Sequence, residues 1–336
     1  MSEPHQFLQD IKKLSEILSQ LSERELKIIH QGVASENPWF TYDSVEKSLR
    51  AISTMLSPHK VEKWLQDYPA SKKELSIGVV MAGNIPLVGF HDLLCILASG
   101  HNAIVKTSHQ DTFLVNFIRE KMVSINPMYA HRITLVGQVK NIQAIIATGS
   151  DNSARYFEYY FSKYPHIIRK NRTSVAILRG DETNTQLHAL GNDVFDYFGL
   201  GCRNVSTLLV PEGYDFSKLK EPWKAFSHVI HHHKYANNYD YRKSINLVNR
   251  VSFVDFEFVM FEENNQLFSP ISVLYYFQYH NSSDIQSFLE KNAEKIQCVV
   301  GTDMPGLKPV PFGQAQTPEL WDYADGINTM EFLTSL

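Results

Sequence analysis

Short apolar runs alternate with helical segments through the middle of the chain, and this alternation limits the fold more than any other feature. The pattern predicts strands at residues 75–81, 103–105, 132–136 and 174–178, with helices ending near residue 99 and at 111–124 and 141–147. Strands that alternate with helices form a mostly parallel sheet with helices on both faces. Because ligands bind beyond the carboxyl ends of such strands, the polar residues that follow each strand are candidate site residues.

The regions on either side of this stretch predict further elements. Apolar residues at three- and four-residue steps predict helices from residue 6 to about 68, with Thr41 or Ser44 as an N-cap. After residue 202 we predict a second α/β region with strands at 208–210, 250–254, 272–277 and 297–300, and helices from about 223 and at 284–295. The predicted parts are a helical segment at 1–72, a nucleotide-binding α/β domain at 73–178, a catalytic α/β domain at 179–300 and an irregular return segment at 301–336.

Composition excludes several classes of function. A net charge of −4 gives no reason to expect nucleic acid as a partner, and no stretch reaches the ~18 apolar residues of a membrane-spanning helix. The three cysteines have no metal-like spacing, and the first residues do not form a secretory signal. These features predict a soluble protein of the reducing cytoplasm, with no metal site.

One cysteine stands out from the other two. Cys202 follows the glycines of Gly199-Leu200-Gly201 and precedes an apolar run, a pattern that presents a single nucleophile at a fixed point. Cys95 and Cys298 lie within apolar runs and are interpreted as core thiols. Adjacent histidines at 231–233 are interpreted as a polar helix face, because neighbouring helical positions point in different directions. The acidic pair Glu262-Glu263 is interpreted as solvated surface.

In their order and separation, four elements resemble the core of the aldehyde dehydrogenase superfamily, from about residue 77 to 312. They are Asn84-Ile85-Pro86-Leu87, Lys106-Thr107-Ser108, Thr148-Gly149-Ser150 and the Cys202 loop. The resemblance implies an aldehyde dehydrogenase-like α/β fold with two α/β domains, parallel-rich sheets and a helical N-terminal prelude. It makes Cys202 the nucleophile and implies that the Asn84 amide helps to bind the developing oxyanion.

The same resemblance implies a set of cofactor-binding residues. The Lys106 side chain would bind the adenine-side ribose, with Ser108 and His109 beside it, and residues 148–150 would cradle the pyrophosphate. Gln266-Leu267-Phe268-Ser269-Pro270 loosely matches the family's Glu-Ile-Phe-Gly-Pro element, with Gln266 in place of the carboxylate that holds the nicotinamide ribose and Phe268 as a further cofactor contact. His109 stands where NAD-preferring relatives place a glutamate. This favours NADPH, with NADH as the second candidate.

A departure from the family narrows the implied reaction. Hydrolytic members carry Glu-Leu-Gly-Gly-Lys, whose glutamate activates water, whereas the matching residues 169–173 here include no carboxylate. An acyl-cysteine without a general base is hydrolysed slowly, so another thiol can make or break the thioester. Together with Pro311-Phe312-Gly313-Gln314-Ala315-Gln316, these features resemble the LuxC-type acyl-CoA reductases, which form aldehydes from acyl thioesters with NADPH.

The implied partners are an acyl-CoA or another acyl thioester, and either a second copy of the chain or an acyl-transferring protein. Two other hypotheses stay open from the sequence. One is a catalytically degenerate relative that binds nucleotide or a partner protein, supported by Gln266 and by the short chain. The other is aldehyde oxidation to the free acid, which the missing base disfavours.

Overall fold

The computed structural model describes residues 3–68 and 73–336, which form two compact units. The first unit holds the described residues up to 171 together with 318–336, and the second holds residues 172–317. The four-part division made from the sequence stays a prediction, and residues 1–2 and 69–72 of its first part lie outside the described residues. No helix among the described residues is long and apolar enough to cross a membrane.

The first unit begins with four amphipathic helices, as the periodicity predicts: α1 Glu3–Ser19, α2 Glu23–Ala34, α3 Tyr42–Met55 and α4 Pro58–Gln66. Ser22 and Glu25 form a reciprocal capping box at the start of α2. Thr41 is confirmed as the N-cap of α3, where its side chain accepts a hydrogen bond from the Ser44 amide. The apolar faces of these helices contribute to one core with the strands and helices that follow.

Five parallel strands form the sheet of the first unit in the order β3-β2-β1-β4-β5. The strands are β1 Ser76–Val80, β2 Asn102–Lys106, β3 Ile133–Leu135, β4 Ala144–Thr148 and β5 His166–Arg169. The helices are α5 Phe90–Ala98, α6 Thr112–Ile125, α7 Tyr129–Arg132 and α8 Asp151–Phe161. The chain adds β2 and β3 on one side of β1 and then crosses to β4 on the other, which creates a topological switch point at the carboxyl ends of β1 and β4.

The helix predicted at residues 141–147 is wrong, because β4 occupies most of this segment. Residues 144–147 are buried on both faces of the sheet. A strand of this kind is a continuous apolar run without alternation, which a short helix can equally produce. The sequence analysis consequently did not identify α8 and β5, which follow β4.

The second unit contains a six-stranded sheet in the order β11-β6-β7-β10-β9-β8, in which only β8 is antiparallel to its neighbour. The strands are β6 Thr173–Ile177, β7 Val205–Pro211, β8 Val254–Asp255, β9 Met260–Glu263, β10 Val273–Tyr279 and β11 Ile296–Val300. The helices are α9 Asn184–Phe195, α10 Ser217–Trp223, α11 His233–Asn249 and α12 Ser282–Lys291. The strand predicted at 250–254 is wrong except for its last residue, since Arg250 ends α11 in a left-handed conformation.

The last residues of the chain pack within the first unit. They include the helix α13 Thr329–Thr334, so the prediction of an irregular segment is wrong there. Leu320 and Leu333 are fully buried, and their carbonyl groups lie 2.9 Å from His91 Nε2 and 3.0 Å from His101 Nε2. Burial lowers the pKa of both imidazoles, which favours the neutral rings, whereas the contacts with the two carbonyl groups partly oppose this effect.

Candidate active site

Cys202 lies in a turn immediately before β7, after an unusual stretch of backbone. Tyr197, Phe198 and Gly199 have φ angles of 53°, 58° and 76°, so three consecutive residues are in the left-handed region. A bulky residue with positive φ is rare, because it costs on the order of 1–3 kcal/mol and persists only where the surrounding structure enforces it. Phe198 is held on one side by the ring of His232, at a centroid distance of 4.6 Å. Strain of this kind is concentrated at functional sites, and here it ends three residues before Cys202.

Asn204 holds the turn from inside. Its side chain is 1% exposed, and Oδ1 accepts a hydrogen bond of 2.8 Å from the Gly201 amide. Nδ2 donates to backbone carbonyl groups at the end of α9 and just beyond it: Asp193 at 3.1 Å, Val194 at 3.3 Å and Asp196 at 2.8 Å. The Asn204 amide thus joins the residues just before the strained stretch to Gly201, the residue before Cys202. These hydrogen bonds fix the position of the turn that carries the Cys202 thiol.

Ser174 contacts the same turn from the neighbouring strand β6. Its hydroxyl donates to the Cys202 carbonyl at 3.1 Å and lies 3.1 Å from Cys298 Sγ. Cys298 is half-buried in β11, whereas Cys95 is fully buried and burial raises the pKa of its thiol. A buried thiol with a raised pKa is inert. Cys202 is half-buried, which leaves part of it accessible.

The predicted cofactor residues of the second unit lie close to the start of β7. The Leu267 carbonyl accepts hydrogen bonds from Ser206 Oγ at 2.7 Å and Thr207 Oγ1 at 2.8 Å. These bonds bring the segment with Gln266 and Phe268 beside the strand that Cys202 precedes. Gln266 and Phe268 are both exposed, so their side chains are available to a ligand.

A small cavity opens next to this arrangement within the second unit. Its volume is about 60 Å³, and Phe198, Gly199 and Ser206 line it together with Tyr235 and residues 269–274. Its wall combines apolar side chains such as Phe198 with polar groups such as Ser206. The cavity therefore reaches the turn on one side of Cys202 and the strand on the other.

In the first unit, the predicted residues gather at the carboxyl edge of the sheet. Val80 at the end of β1 pairs with Lys106 on one side and Ala147 on the other. Lys106 therefore ends β2, Thr148 ends β4, and Asn84 lies half-buried in the loop after β1. Neighbouring strands are about 4.8 Å apart, so this edge brings the three together at the switch point.

Residues around this edge differ in what they offer to a ligand. His109 is exposed beyond β2, whereas the Ser108 side chain lies so close to Gly83 that an added Cβ there would be 2.6 Å from its Oγ. Ser150 is the N-cap of α8, where its hydroxyl accepts from the Ser153 amide. Gly149 allows close packing of β4 on α8, because a Cβ would lie 2.8 Å from that of Ser153. The remaining first-turn amides of α8 form a site suited to an anion.

Residues 169–173, which the sequence analysis matched to the glutamate motif of hydrolytic aldehyde dehydrogenases, contain a buried guanidinium. Arg169 at the end of β5 is 3% exposed and forms an ion pair with Asp92 at 2.9 Å. It also donates to the Ala324 carbonyl and to Thr329 Oγ1. Arg169 is thus fully engaged in packing the first unit. It cannot act as a base in water activation, because a guanidinium stays protonated.

The sequence analysis missed two buried carboxylates in the second unit. Asp193 accepts from the Gly313 and Ala315 amides, and burial raises its pKa to about 6. Glu262 is 3% exposed and bonded to Asn246, so the interpretation of this residue as solvated surface is wrong. Neither residue carries a local sequence signal, because both partners of each contact are distant in the chain. Among the described residues, no group of three His, Cys, Asp or Glu could hold a metal ion.

The chain has structural relatives but no match at the level of sequence. No family model and no curated protein matches it. It superposes on aldehyde dehydrogenase 21 from Physcomitrella patens in complex with the reaction product succinate, with a TM-score of 0.66 and 12% identity over 90% of this chain and 74% of that one. It also superposes on a Mycobacterium tuberculosis aldehyde dehydrogenase complexed with NAD+, with a TM-score of 0.65 and 14% identity over 90% of this chain and 74% of that one. An NADP-dependent enzyme of E. coli superposes with a TM-score of 0.67 and 10% identity over 91% of this chain and 74% of that one. The chain has the aldehyde dehydrogenase fold.

Proposed function

We propose that this protein is an NADPH-dependent oxidoreductase of the LuxC type, which reduces an acyl-CoA or another acyl thioester to the aldehyde through an acyl-Cys202 intermediate. The observation that carries the proposal is the half-buried Cys202 thiol, held by Asn204 after a strained turn on an aldehyde dehydrogenase fold. Strained backbone is concentrated at functional sites, so the three left-handed residues before this turn support a functional role for Cys202 over a purely structural one.

The thioester chemistry follows from the properties of sulfur. The Cys202 thiolate forms a bond to the acyl carbon, the bond from that carbon to the CoA sulfur breaks, and CoA leaves as the thiolate. The Asn84 amide and the Cys202 backbone N–H stabilise the negative charge that develops on the acyl oxygen. After a hydride has been added to the acyl carbon, the bond between that carbon and Sγ breaks, the aldehyde leaves and Cys202 is regenerated as the thiolate.

The lack of a carboxylate at residues 169–173 supports reduction over hydrolysis. Residues 169–173 offer Arg169 in an ion pair with Asp92, and Thr173, whose hydroxyl donates to Ser206 Oγ at 2.7 Å. Neither group takes a proton from water at neutral pH. The acyl-cysteine is therefore long-lived enough to accept a hydride rather than to be hydrolysed to the acid.

The residues of the first unit fit a nicotinamide dinucleotide. Lys106 at the switch point and the first turn of α8 would hold the ribose and the pyrophosphate, and no carboxylate occupies position 109 to repel a 2′-phosphate. Ser108, Thr148, Gly149 and Ser150 shape the same edge. In the second unit, Gln266 and Phe268 would contact the nicotinamide half. NADPH supplies the hydride, with NADH as the second candidate.

We also assign partners and a location to this function. The acyl donor is CoA-linked or bound to another thiol, and a second copy of the chain or an acyl-transferring protein would act beside it. Three free cysteines suit a reducing cytoplasm.

The proposal is tested with a panel of acyl-CoAs of increasing chain length, in which NADPH absorbance and CoA release are followed together. We expect equal amounts of NADPH consumed and CoA released, and acylation of Cys202 but not Cys298 when NADPH is omitted, read by peptide mass spectrometry. NADPH binding without acylation of Cys202 by any thioester would instead identify a binding protein that has lost turnover.

A further inference from the structure

We propose that Ser48 and Asn37 in the N-terminal helical region, together with Asp111, are positioning residues that set the conformation of the Gly83–Leu87 loop and thereby the placement of Asn84. This inference rests on the proposed function for the role of Asn84. It gives the N-terminal helical region a role in positioning Asn84, which its sequence alone does not indicate.

The peptide bond between Pro86 and Leu87 is held by side chains from outside the loop. The Pro86 carbonyl accepts a hydrogen bond of 2.8 Å from Ser48 Oγ, and the Leu87 amide donates one of 2.8 Å to Asp111 Oδ2. Both polar groups of the Pro86–Leu87 peptide are thus bound by side chains, one from α3 and one from the residue before α6. We call this arrangement the Pro86–Leu87 clamp.

The clamp holds a conformation that the backbone would not choose alone. Leu87 has a φ of 58° and is 5% exposed, so a large side chain lies in the left-handed region and is buried. Such a residue costs on the order of 1–2 kcal/mol relative to ordinary backbone. Two hydrogen bonds on the preceding peptide oppose rotation toward the common conformation, because that rotation would break both.

A third contact fixes the other end of the loop. Asn37 is 2% exposed, and its Nδ2 donates to the Gly83 carbonyl at 3.1 Å. The neighbouring Glu36 accepts from the Thr112 and Phe113 amides at 2.9 Å each, which ties the same segment to the start of α6. Asn84 therefore lies between two backbone positions, Gly83 and the Pro86–Leu87 peptide, that are each held from outside the loop.

The three residues are buried, and each directs a polar atom at the loop backbone. Such bonds are long-range, since 46 residues separate Asn37 from Gly83 and 38 separate Ser48 from Pro86. A displacement of about 1 Å in a group that stabilises a transition state can cost on the order of 100-fold in rate. We therefore expect a weaker clamp to reduce the rate of Cys202 acylation through the placement of Asn84.

Ser53 supplies a matched control for Ser48. Both serines are buried on α3, and each donates its hydroxyl to one backbone carbonyl, but Ser53 donates to Ser15 in α1 at 2.9 Å. Ser48→Ala and Ser53→Ala thus remove the same chemical group from the same helix. Only the first removes it from the Pro86–Leu87 clamp.

The experiment compares both variants with the wild-type protein by two readouts. The first is the single-turnover rate of CoA release from the best acyl-CoA of the panel, with NADPH affinity measured beside it. The second is amide hydrogen exchange of the peptide that contains Leu87, which requires no activity. For Ser48→Ala we expect CoA release slowed about tenfold, faster exchange of that peptide and unchanged NADPH affinity. For Ser53→Ala we expect wild-type values in all three measurements.

The outcomes separate the two proposals. Where the wild-type protein releases CoA, equal release rates in the two variants overturn the positioning role, whatever the exchange shows. A wild-type protein that releases CoA from no thioester overturns the proposed function. Faster exchange in Ser48→Ala alone would then still support the clamp on the loop.

Discussion

At the scale of single residues, the covalent step depends on Cys202. Replacement by alanine removes the nucleophile, so we expect Cys202→Ala to abolish turnover and CoA release while NADPH affinity stays within about twofold. The proposed cofactor contacts lie mainly on Lys106 and residues 148–150, which this change does not touch. Isothermal titration with NADPH and the absorbance assay check both parts. Retained reductase activity would assign the nucleophile to another group.

His109 provides a test of cofactor choice. A glutamate at this exposed position adds a negative charge beside the proposed 2′-phosphate, and we expect His109→Glu to weaken NADPH binding by about tenfold at low salt, with less effect on NADH. Measured dissociation constants for both cofactors check the prediction, with neutral His109→Gln as the control. Equal losses for NADPH and NADH would mean that residue 109 does not face the ribose.

Asp193 gives the second unit a dependence on pH. Burial raises its pKa to about 6, and the Gly313 and Ala315 amides and the nearby Arg203 oppose that rise while Asp196 adds to it. The folded state therefore binds more protons than the unfolded state between about pH 4 and 6, so stability falls as the pH rises through this window. The rise in the Asp193 pKa to about 6 corresponds to about 2–3 kcal/mol of unfolding free energy, which is lost across this pH range.

We expect Asp193→Asn to flatten this dependence, because an amide does not titrate. Urea unfolding at pH 4.5 and 7 measures it, followed by fluorescence in a protein whose only remaining tryptophan is the buried Trp223. Trp223 is a suitable reporter because its Nε1 donates to the Leu187 carbonyl on α9, the helix that carries Asp193. The same slope in the variant and the wild type would show that Asp193 does not titrate in this range.

At the scale of elements, helix and turn ends reveal where the backbone is strained. Arg250 ends α11 at a φ of 56°, a position where glycine is favoured, and its side chain is exposed. We expect Arg250→Gly to raise the free energy of unfolding of the second unit by about 0.5–1 kcal/mol. Gly213, at a φ of 71° with open space around it, is the reciprocal case, and Gly213→Ala should lower it by a similar amount. Trp223 fluorescence in urea reports both, and changes of equal sign would contradict the backbone argument.

At the scale of the whole molecule, the buried Arg169–Asp92 pair joins distant parts of the chain within the first unit. Removing one partner leaves an uncompensated buried charge, so we expect Arg169→Met to cost about 3–5 kcal/mol. The exposed pair of Arg50 and Glu46 provides the control, and Arg50→Met should cost less than about 1 kcal/mol. Trp39, Trp64 and Trp321 all lie in the first unit and report its unfolding. Similar losses in the two variants would show that the buried pair contributes little.

The sequence by itself determined the fold class and the positions of the candidate elements. Alternation of strands and helices from residue 75 predicted a parallel α/β architecture, which the structure and its aldehyde dehydrogenase-like neighbours confirm. The N-cap at Thr41 was also predictable, since caps act within a few residues. The candidate site residues were found through motifs that are local in the chain. Their roles stay predictions.

Only the tertiary structure decided how those local pieces are held. β4 could not be distinguished from a helix by its apolar run, because the difference lies in burial on both faces of a sheet. Hydrogen bonds that form only after folding hold the turn around Asn204 and the Pro86–Leu87 clamp. Bonds of the same kind hold the buried carboxylates of Asp193 and Glu262. Periodicity reports which side chains share a face. It does not indicate which buried polar groups will form hydrogen bonds with one another across the core.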